Sequence, residues 1–184
     1  MSFRTFMLWS HRWLGLTSGV LVLIAGLTGS LVMLPFAQPT RAWLLELHMN
    51  LLAGRAGAWL VVAVTVVSLL LQVGGVYLWW PPKSLRLRTD RGWWRFSYDF
   101  HNWVGVVGLL IMGLLGATAL GRVFFRAVPV PLAIEFVPRV VSRLHTAGGF
   151  PLPLQAIYFV GSLGFVAQAI TGALVWWRPS KARG

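Results

Sequence analysis

The sequence predicts an all-α integral membrane protein, with four transmembrane helices in a bundle built from two tandem helical hairpins. Three observations predict it. The 184 residues are 57% hydrophobic and only 11% charged, where soluble domains carry about 25% charged residues. Uncharged runs at 13–40, 56–82, 100–121 and 144–177 each exceed the ~20 residues that cross a bilayer as a helix. Finally, two sets of residues recur at fixed offsets. An offset of 97 superposes His48 on His145, Gly75 on Gly172, Trp79-Trp80 on Trp176-Trp177 and Pro82 on Pro179. An offset of 90 superposes His11 on His101, Trp13 on Trp103, Gly15 on Gly105, Gly26 on Gly116 and Thr28 on Thr118. The halves are 1–88 and 89–184. Each has an even number of spans, so they share orientation and are related by an axis along the membrane normal.

Each element has its own warrant. The first helix is expected from about residue 10 to 34, where Pro35 and Pro39 stop it. Arg4 and Arg12 before it imitate a signal peptide. A signal core is only ~7–15 residues long and ends at small residues, which Met33-Leu34-Pro35-Phe36 does not supply, so this run reads as a permanent helix. Leu21–Ile24 and Leu60–Val64 are solidly apolar, which excludes the alternating pattern of a membrane β-barrel. Segment 40–56, with Trp43, Glu46 and His48, reads as a half-turn or interfacial helix. The second helix covers about 57–80 and closes at Trp79-Trp80-Pro81-Pro82, with its tryptophans in the aromatic belt. Loop 83–99 mixes basic residues with Trp93, Trp94, Phe96 and Tyr98, a composition suited to anionic headgroups. The third helix is expected over 100–121. Segment 122–150 holds Pro129, Pro131 and Pro138 and does not read as a span. The fourth helix covers about 152–177, ending in Trp176-Trp177-Arg178-Pro179.

The net charge of +12 follows membrane topology and not nucleic-acid binding. Arg4, Arg12, Lys83, Arg86, Arg88, Arg91, Arg95, Arg178, Lys181 and Arg183 fall on one side of a four-span chain; Arg41, Arg55, Arg122, Arg126, Arg139 and Arg143 fall on the other. The positive-inside rule then puts both termini and loop 83–99 in the cytoplasm. The chain has no cysteine, which excludes disulfides, iron–sulfur clusters, thiolate zinc sites and covalent haem attachment. Metal chemistry here rests on histidine, methionine or carboxylate.

All four histidines fall at repeat-equivalent positions. His11 and His101 lie near the inner ends of the first and third helices, His48 and His145 near the outer ends of the second and fourth. The pseudo-twofold axis makes each pair face itself at one membrane depth, as needed to hold a haem iron from both sides. Steps of three or four from His11 reach Gly15, Gly19, Gly26 and Gly29, and from His101 Gly105, Gly108, Met112 and Gly116. Such small-residue stripes serve equally as helix-packing seams. Haem propionates need cations, for which Arg12 on the inner side and Arg41, Arg55, Arg139 and Arg143 on the outer side are available, Arg143 foremost; lipid phosphate is the competing partner for each. Met7, Met33, Met49 and Met112 offer a weaker copper alternative without any repeated pairing.

These residues carry a resemblance. His11-Arg12-Trp13-Leu14-Gly15 with Leu27-Thr28-Gly29-Ser30, Leu47-His48, Asp99-Phe100-His101-Asn102-Trp103-Val104-Gly105, Arg143-Leu144-His145-Thr146-Ala147-Gly148-Gly149 and Thr171-Gly172-Ala173-Leu174-Val175-Trp176-Trp177-Arg178-Pro179 resemble the PepSY-associated transmembrane family, which includes inner-membrane ferric-siderophore reductases. The resemblance implies two noncovalent b-type haems held by helix histidines, and electron transfer across a bacterial inner membrane to ferric iron in a siderophore or similar chelate outside. The outer loops are short beside those of larger members with a periplasmic domain, so substrate capture falls to this chain or to a partner subunit. No Rossmann or flavin motif is visible, so a separate electron donor is expected. The competing readings are a non-catalytic assembly or relay subunit that co-purifies with a partner protein, and a component of an iron or siderophore transporter; a homo-oligomer or a partner subunit is compatible with each reading. The latter would favour mid-membrane charge, where only Gln72 and Gln168 stand out.

Overall fold

The computed structural model of the chain describes residues 1–81, 85–128 and 135–177, without the side chains of 36–38. Within them run α1 (Phe3–Val32), a 3-10 turn (Pro35–Thr40), α2 (Arg41–Asn50), α3 (Gly54–Trp79), α4 (Gly92–Val107), α5 (Leu109–Ala127), α6 (Phe136–Thr146) and α7 (Leu152–Trp177). No strand occurs among the described residues. Four helices, α1, α3, α5 and α7, are long and apolar enough to cross a membrane. The protein is a multi-pass membrane protein, and its apolar helix faces are lipid-contacting surfaces.

α1 and α7 pack together most extensively; α3 flanks α1, and the α4–α5 rod closes the ring against α3 and α7. One end of the bundle carries the N-terminus and the ends of α3 and α7. We call it the terminal end, and the other, where α2 and α6 make the returns, the hairpin end. The 1–88 and 89–184 halves contribute α1–α3 and α4–α7. The seam between them is close. An added Cβ on Gly26 would meet the Ser162 carbonyl and Phe165 Cβ, both at 2.9 Å, and the Ser162 hydroxyl donates across the seam to the Gly26 carbonyl at 2.9 Å. Small residues let backbones approach in this way where lipid offers no hydrophobic drive for helix association.

Two boundaries differ from the sequence expectation. α1 begins at Phe3 and not near residue 10, because Ser2 caps it by accepting the Thr5 amide at 3.2 Å. Arg4 is thereby placed to donate to the Leu78 and Trp80 carbonyls at 2.8 and 3.3 Å, which satisfies exposed acceptors at the end of α3. The third span is two helices and not one. α4 starts at Gly92, within the expected 83–99 loop, and joins α5 at Gly108. A Cβ on Gly108 would lie 2.7 Å from the Val104 carbonyl oxygen, so the joint admits no larger residue without moving. The early start of α4 has an electrostatic cause. Buried Asp99 takes Arg88 through Nε and Nη2, both at 2.9 Å, and Arg95 through Nε at 3.1 Å. This pins residues 85–91 to the helix.

At the hairpin end, Arg41 donates to the Val32 carbonyl at 2.6 Å and so caps α1. α2 then ends in a left-handed residue, Leu51 (φ 55), and α6 likewise in Ala147 (φ 53). Left-handed backbone is costly for residues with a Cβ and persists where the surroundings determine it. The second and fourth spans match expectation, and the segment around His48 is a true helix, α2. His48 and His145 therefore sit on the short helices α2 and α6 and not on the spans themselves. Pro82, Lys83, Pro129, Pro131, Arg178, Pro179, Lys181 and Arg183 lie outside the described residues.

Candidate functional site

The histidines meet in two pairs. His11 on α1 and His101 on α4 have ring centres 6.3 Å apart, with planes at 89°. His48 on α2 and His145 on α6 have ring centres 6.2 Å apart, with planes at 38°. Seventeen residues separate His11 from Thr28 on α1 and His101 from Thr118 across α4–α5, and those threonines touch the second pair. At 1.5 Å per residue the pairs lie about 25 Å apart along the bundle, close to the ~30 Å thickness of a bilayer core.

Hydrogen bonding decides which ring nitrogen each histidine keeps free. His48 Nδ1 lies 3.0 Å from the Ala25 carbonyl and 3.1 Å from the Thr28 hydroxyl. Its counterpart, His145 Nδ1, lies 3.1 Å from the Leu115 carbonyl and 3.3 Å from the Thr118 hydroxyl. A carbonyl can only accept, so Nδ1 carries the proton in both rings. The threonines agree. Thr28 and Thr118 spend their own hydrogens on the Ile24 and Leu114 carbonyls at 2.7 and 2.6 Å, which leaves their oxygens to accept. His101 repeats the arrangement with Thr171, whose oxygen is 3.0 Å from Nδ1 while its hydrogen goes to the Ala167 carbonyl at 2.6 Å. Gln168 also donates to the His101 carbonyl at 2.7 Å. Three imidazoles are therefore fixed in one tautomer, with Nε2 left as a lone-pair donor.

His11 is the exception. Its Nδ1 is buried and makes no well-formed hydrogen bond among the described residues, although the Leu71 backbone lies near the imidazole. The offset of 97 explains why: Gly74 stands where the second half has Thr171. A Cβ there would lie 4.0 Å from His11 Nδ1.

Glycines line the rings. A Cβ on Gly29 would lie 3.2 Å from His48 Cε1, one on Gly75 3.4 Å from His11 Cε1, and one on Gly172 3.4 Å from His101 Cε1. Gly15 and Gly19, one and two turns beyond His11, have nothing within 4 Å of a Cβ. The expected glycine stripe thus divides: open beside His11, and a helix-packing seam at Gly26, Gly116 and Gly161.

Of the expected propionate partners, Arg12, Arg55 and Arg143 are all exposed, and Arg41 is used to cap α1. The arginine that bears on the hairpin-end histidines is Arg122 on α5, half-buried, whose charge acts on both His48 and His145. Burial pushes the His48 imidazole below the ordinary histidine value, opposed by the Ala25 carbonyl and aided by Arg122. Burial, then Arg122, then His48 push His145 down to about 4. Both are neutral at physiological pH. Sequence reasoning counted Arg122 among the loop arginines; its place one turn beyond Thr118 was the available signal.

A metal between two imidazoles, at about 2.0–2.1 Å per nitrogen and with roughly 1.1 Å from nitrogen to ring centre, sets the ring centres about 6 Å apart. Both pairs meet that spacing. No three His, Cys, Asp or Glu side chains converge among the described residues, so each pair offers a metal two ligands of these kinds. The residues fit a haem. Two of the methionines serve packing: Met7 lies against Gly74, and Met112, 1% exposed, fills the space between Gly108 and Gly164.

Fold and site together define a four-span helical membrane protein with a histidine pair towards each end. The profile of the PepSY-associated TM region matches residues 32–131, and the chain belongs to that family. The matched stretch contains His48 and His101, one member of each pair. Comparison with curated proteins and with solved structures found no match.

Proposed function

We propose that the protein is a di-haem b-type membrane cytochrome of a bacterial inner membrane, with termini in the cytoplasm, that passes electrons outward to ferric iron in a siderophore or similar anionic chelate. One observation carries the reading: two imidazole pairs at 6.3 and 6.2 Å, three of the four rings tied through Nδ1 so that Nε2 is free. His11 with His101 would hold one haem and His48 with His145 the other. Haem iron, when bound, supplies reversible one-electron chemistry.

The chain's own residues supply the rest. Thr28, Thr118 and Thr171 fix ring orientation and raise the basicity of the donor nitrogen. Arg122 places a cation beside the hairpin-end pair, where it would offset a cofactor carboxylate and favour the reduced state of a bound haem. Arg139 and Arg143, exposed on α6, raise the local concentration of a polyanionic chelate near His145.

The test is an absorption spectrum of the purified full chain expressed with ample haem. A reversible b-type spectrum with about two haems per chain is expected. A colourless protein overturns the reading.

A further inference from the structure

At the terminal end lies a cleft of about 570 Å³, one helical turn of α4 from His101. Its walls are Arg88, Arg91 and Arg95 with Trp94 and Tyr98 from α4, and Val175 from α7. Its position is fixed by the helices. Tyr98 lies one turn before His101, and Val175 one turn beyond Thr171 and Gly172, which contact the His101 ring. One turn is about 5 Å of rise.

The arginines are arranged and not merely present. Asp99, 3% exposed, grips one edge of Arg88 and of Arg95. The bonds to Asp99 use Nε and Nη2 of Arg88 and Nε of Arg95, which leaves Nη1 of Arg88 and both Nη groups of Arg95 outside the clamp. The Arg95 guanidinium stacks 5.4 Å over the Tyr98 ring. Arg91 adds a third cation, with a 3.9 Å contact to exposed Asp90. Neither acidic residue is in the cleft wall. Snorkelling to lipid would require no such buried anchor, and a headgroup phosphate alone would not fill a space of the size that ligand sites commonly have.

We propose that this cleft binds a phosphate monoester tethered through a sugar-like chain to a planar aromatic ring, a ligand of mononucleotide size. The guanidinium edges receive the phosphate, and Trp94 and Tyr98 receive the ring. Binding does not depend on what the histidines hold. Its use as the entry point for a soluble electron donor does rest on the haem reading.

The experiment is a fluorescence titration of riboflavin 5′-phosphate with the full chain in phosphatidylcholine nanodiscs, with riboflavin as the control lacking the phosphate. The phosphate ester should bind at least tenfold more tightly than riboflavin. Arg91→Ala, at a site 72% exposed, should weaken it about tenfold without lowering the melting temperature, and Trp94→Leu should weaken both ligands. Equal binding of the two, or none of the phosphate ester at millimolar concentration, overturns the proposal. So does its displacement when phosphatidylglycerol replaces phosphatidylcholine, which would make the cleft a lipid-headgroup site. Haem content read from the same samples keeps the two proposals separate: colourless protein that binds the phosphate ester defeats only the cytochrome reading.

Discussion

The two histidine pairs have nearly the same spacing but are built differently. At the hairpin end both rings sit on short helices outside the spans, and their hydrogen bonds match atom for atom: Thr28 and the Ala25 carbonyl for His48, Thr118 and the Leu115 carbonyl for His145. At the terminal end both rings sit on long helices, and only His101 is held. Its partner faces Gly74. The ends differ in charge as well. The terminal end is pinned by the Arg88–Asp99–Arg95 clamp, while at the hairpin end Arg122 stands beside two neutral imidazoles. The repeat thus preserves the spacing of the ring pairs and lets their hydrogen bonding diverge, with one pair tethered at both rings and the other at one.

The harshest way to break this comparison is to remove one ring from each pair. His101→Ala and His145→Ala should each lose about half the haem, and each should abolish nearly all electron flow from a cytoplasmic-side donor to an external ferric chelate. The His101→Ala protein should retain a hairpin-end haem. Full haem content in both variants would contradict the pairing.

Next in size is Asp99→Ala. It leaves two guanidiniums gathered around a missing carboxylate. The cost is about 2–4 kcal/mol, less than for a fully buried pair because both arginines are partly exposed, and a lowered melting temperature in detergent would show it.

Removing the threonine oxygens separates the ends more finely. Thr118→Val and Thr171→Val should weaken haem retention at their own pair by about 10–100-fold, read as the rate of haem loss to an apo-protein acceptor. Thr118→Val keeps the Leu115 carbonyl as a partner for His145, so it should fall at the lower end of that range.

Acid should act on the hairpin end of the haem-free chain. His145 is held near 4 against an ordinary value of 6.5, so between these values the unfolded chain binds more protons than the folded one. Stability is therefore present above about pH 6.5 and is lost as pH falls towards 4. Melting temperatures across pH 7 to 4 should fall in that window, and Arg122→Gln should make the fall smaller, because removing a neighbouring positive charge brings the folded value of His145 closer to the unfolded one.

The smallest effect sharpens the comparison in the other direction. Gly74→Thr should give His11 the hydroxyl that His101 has, with only the flexible end of Met7 in the way, at 3.1 Å from the new Cβ. Less than a tenfold gain in haem retention and a lowered potential at the terminal-end haem are expected. An unchanged potential would show that His11 gains nothing from a held Nδ1.

Much of this was legible in the chain. Hydropathy fixed four spans because a bilayer demands about twenty apolar residues per crossing. Repeat offsets paired His11 with His101 and His48 with His145, because a pseudo-twofold axis brings equivalent positions to one depth. Thr28 and Thr118 were visible as repeats, yet their role was not, since a hydroxyl's partner depends on which helix lies opposite. Arg143, two residues from His145, was the expected cation and faces solvent; Arg122, twenty-three residues away, is the one whose charge reaches both rings. Asp99 looked like part of a headgroup loop until Arg88 and Arg95 were seen to converge on it. Local sequence determined length, polarity and periodicity, which are properties of single helices. Only the tertiary structure decided which nitrogen is free and which charge is near, because those depend on contacts between residues 20 to 70 positions apart.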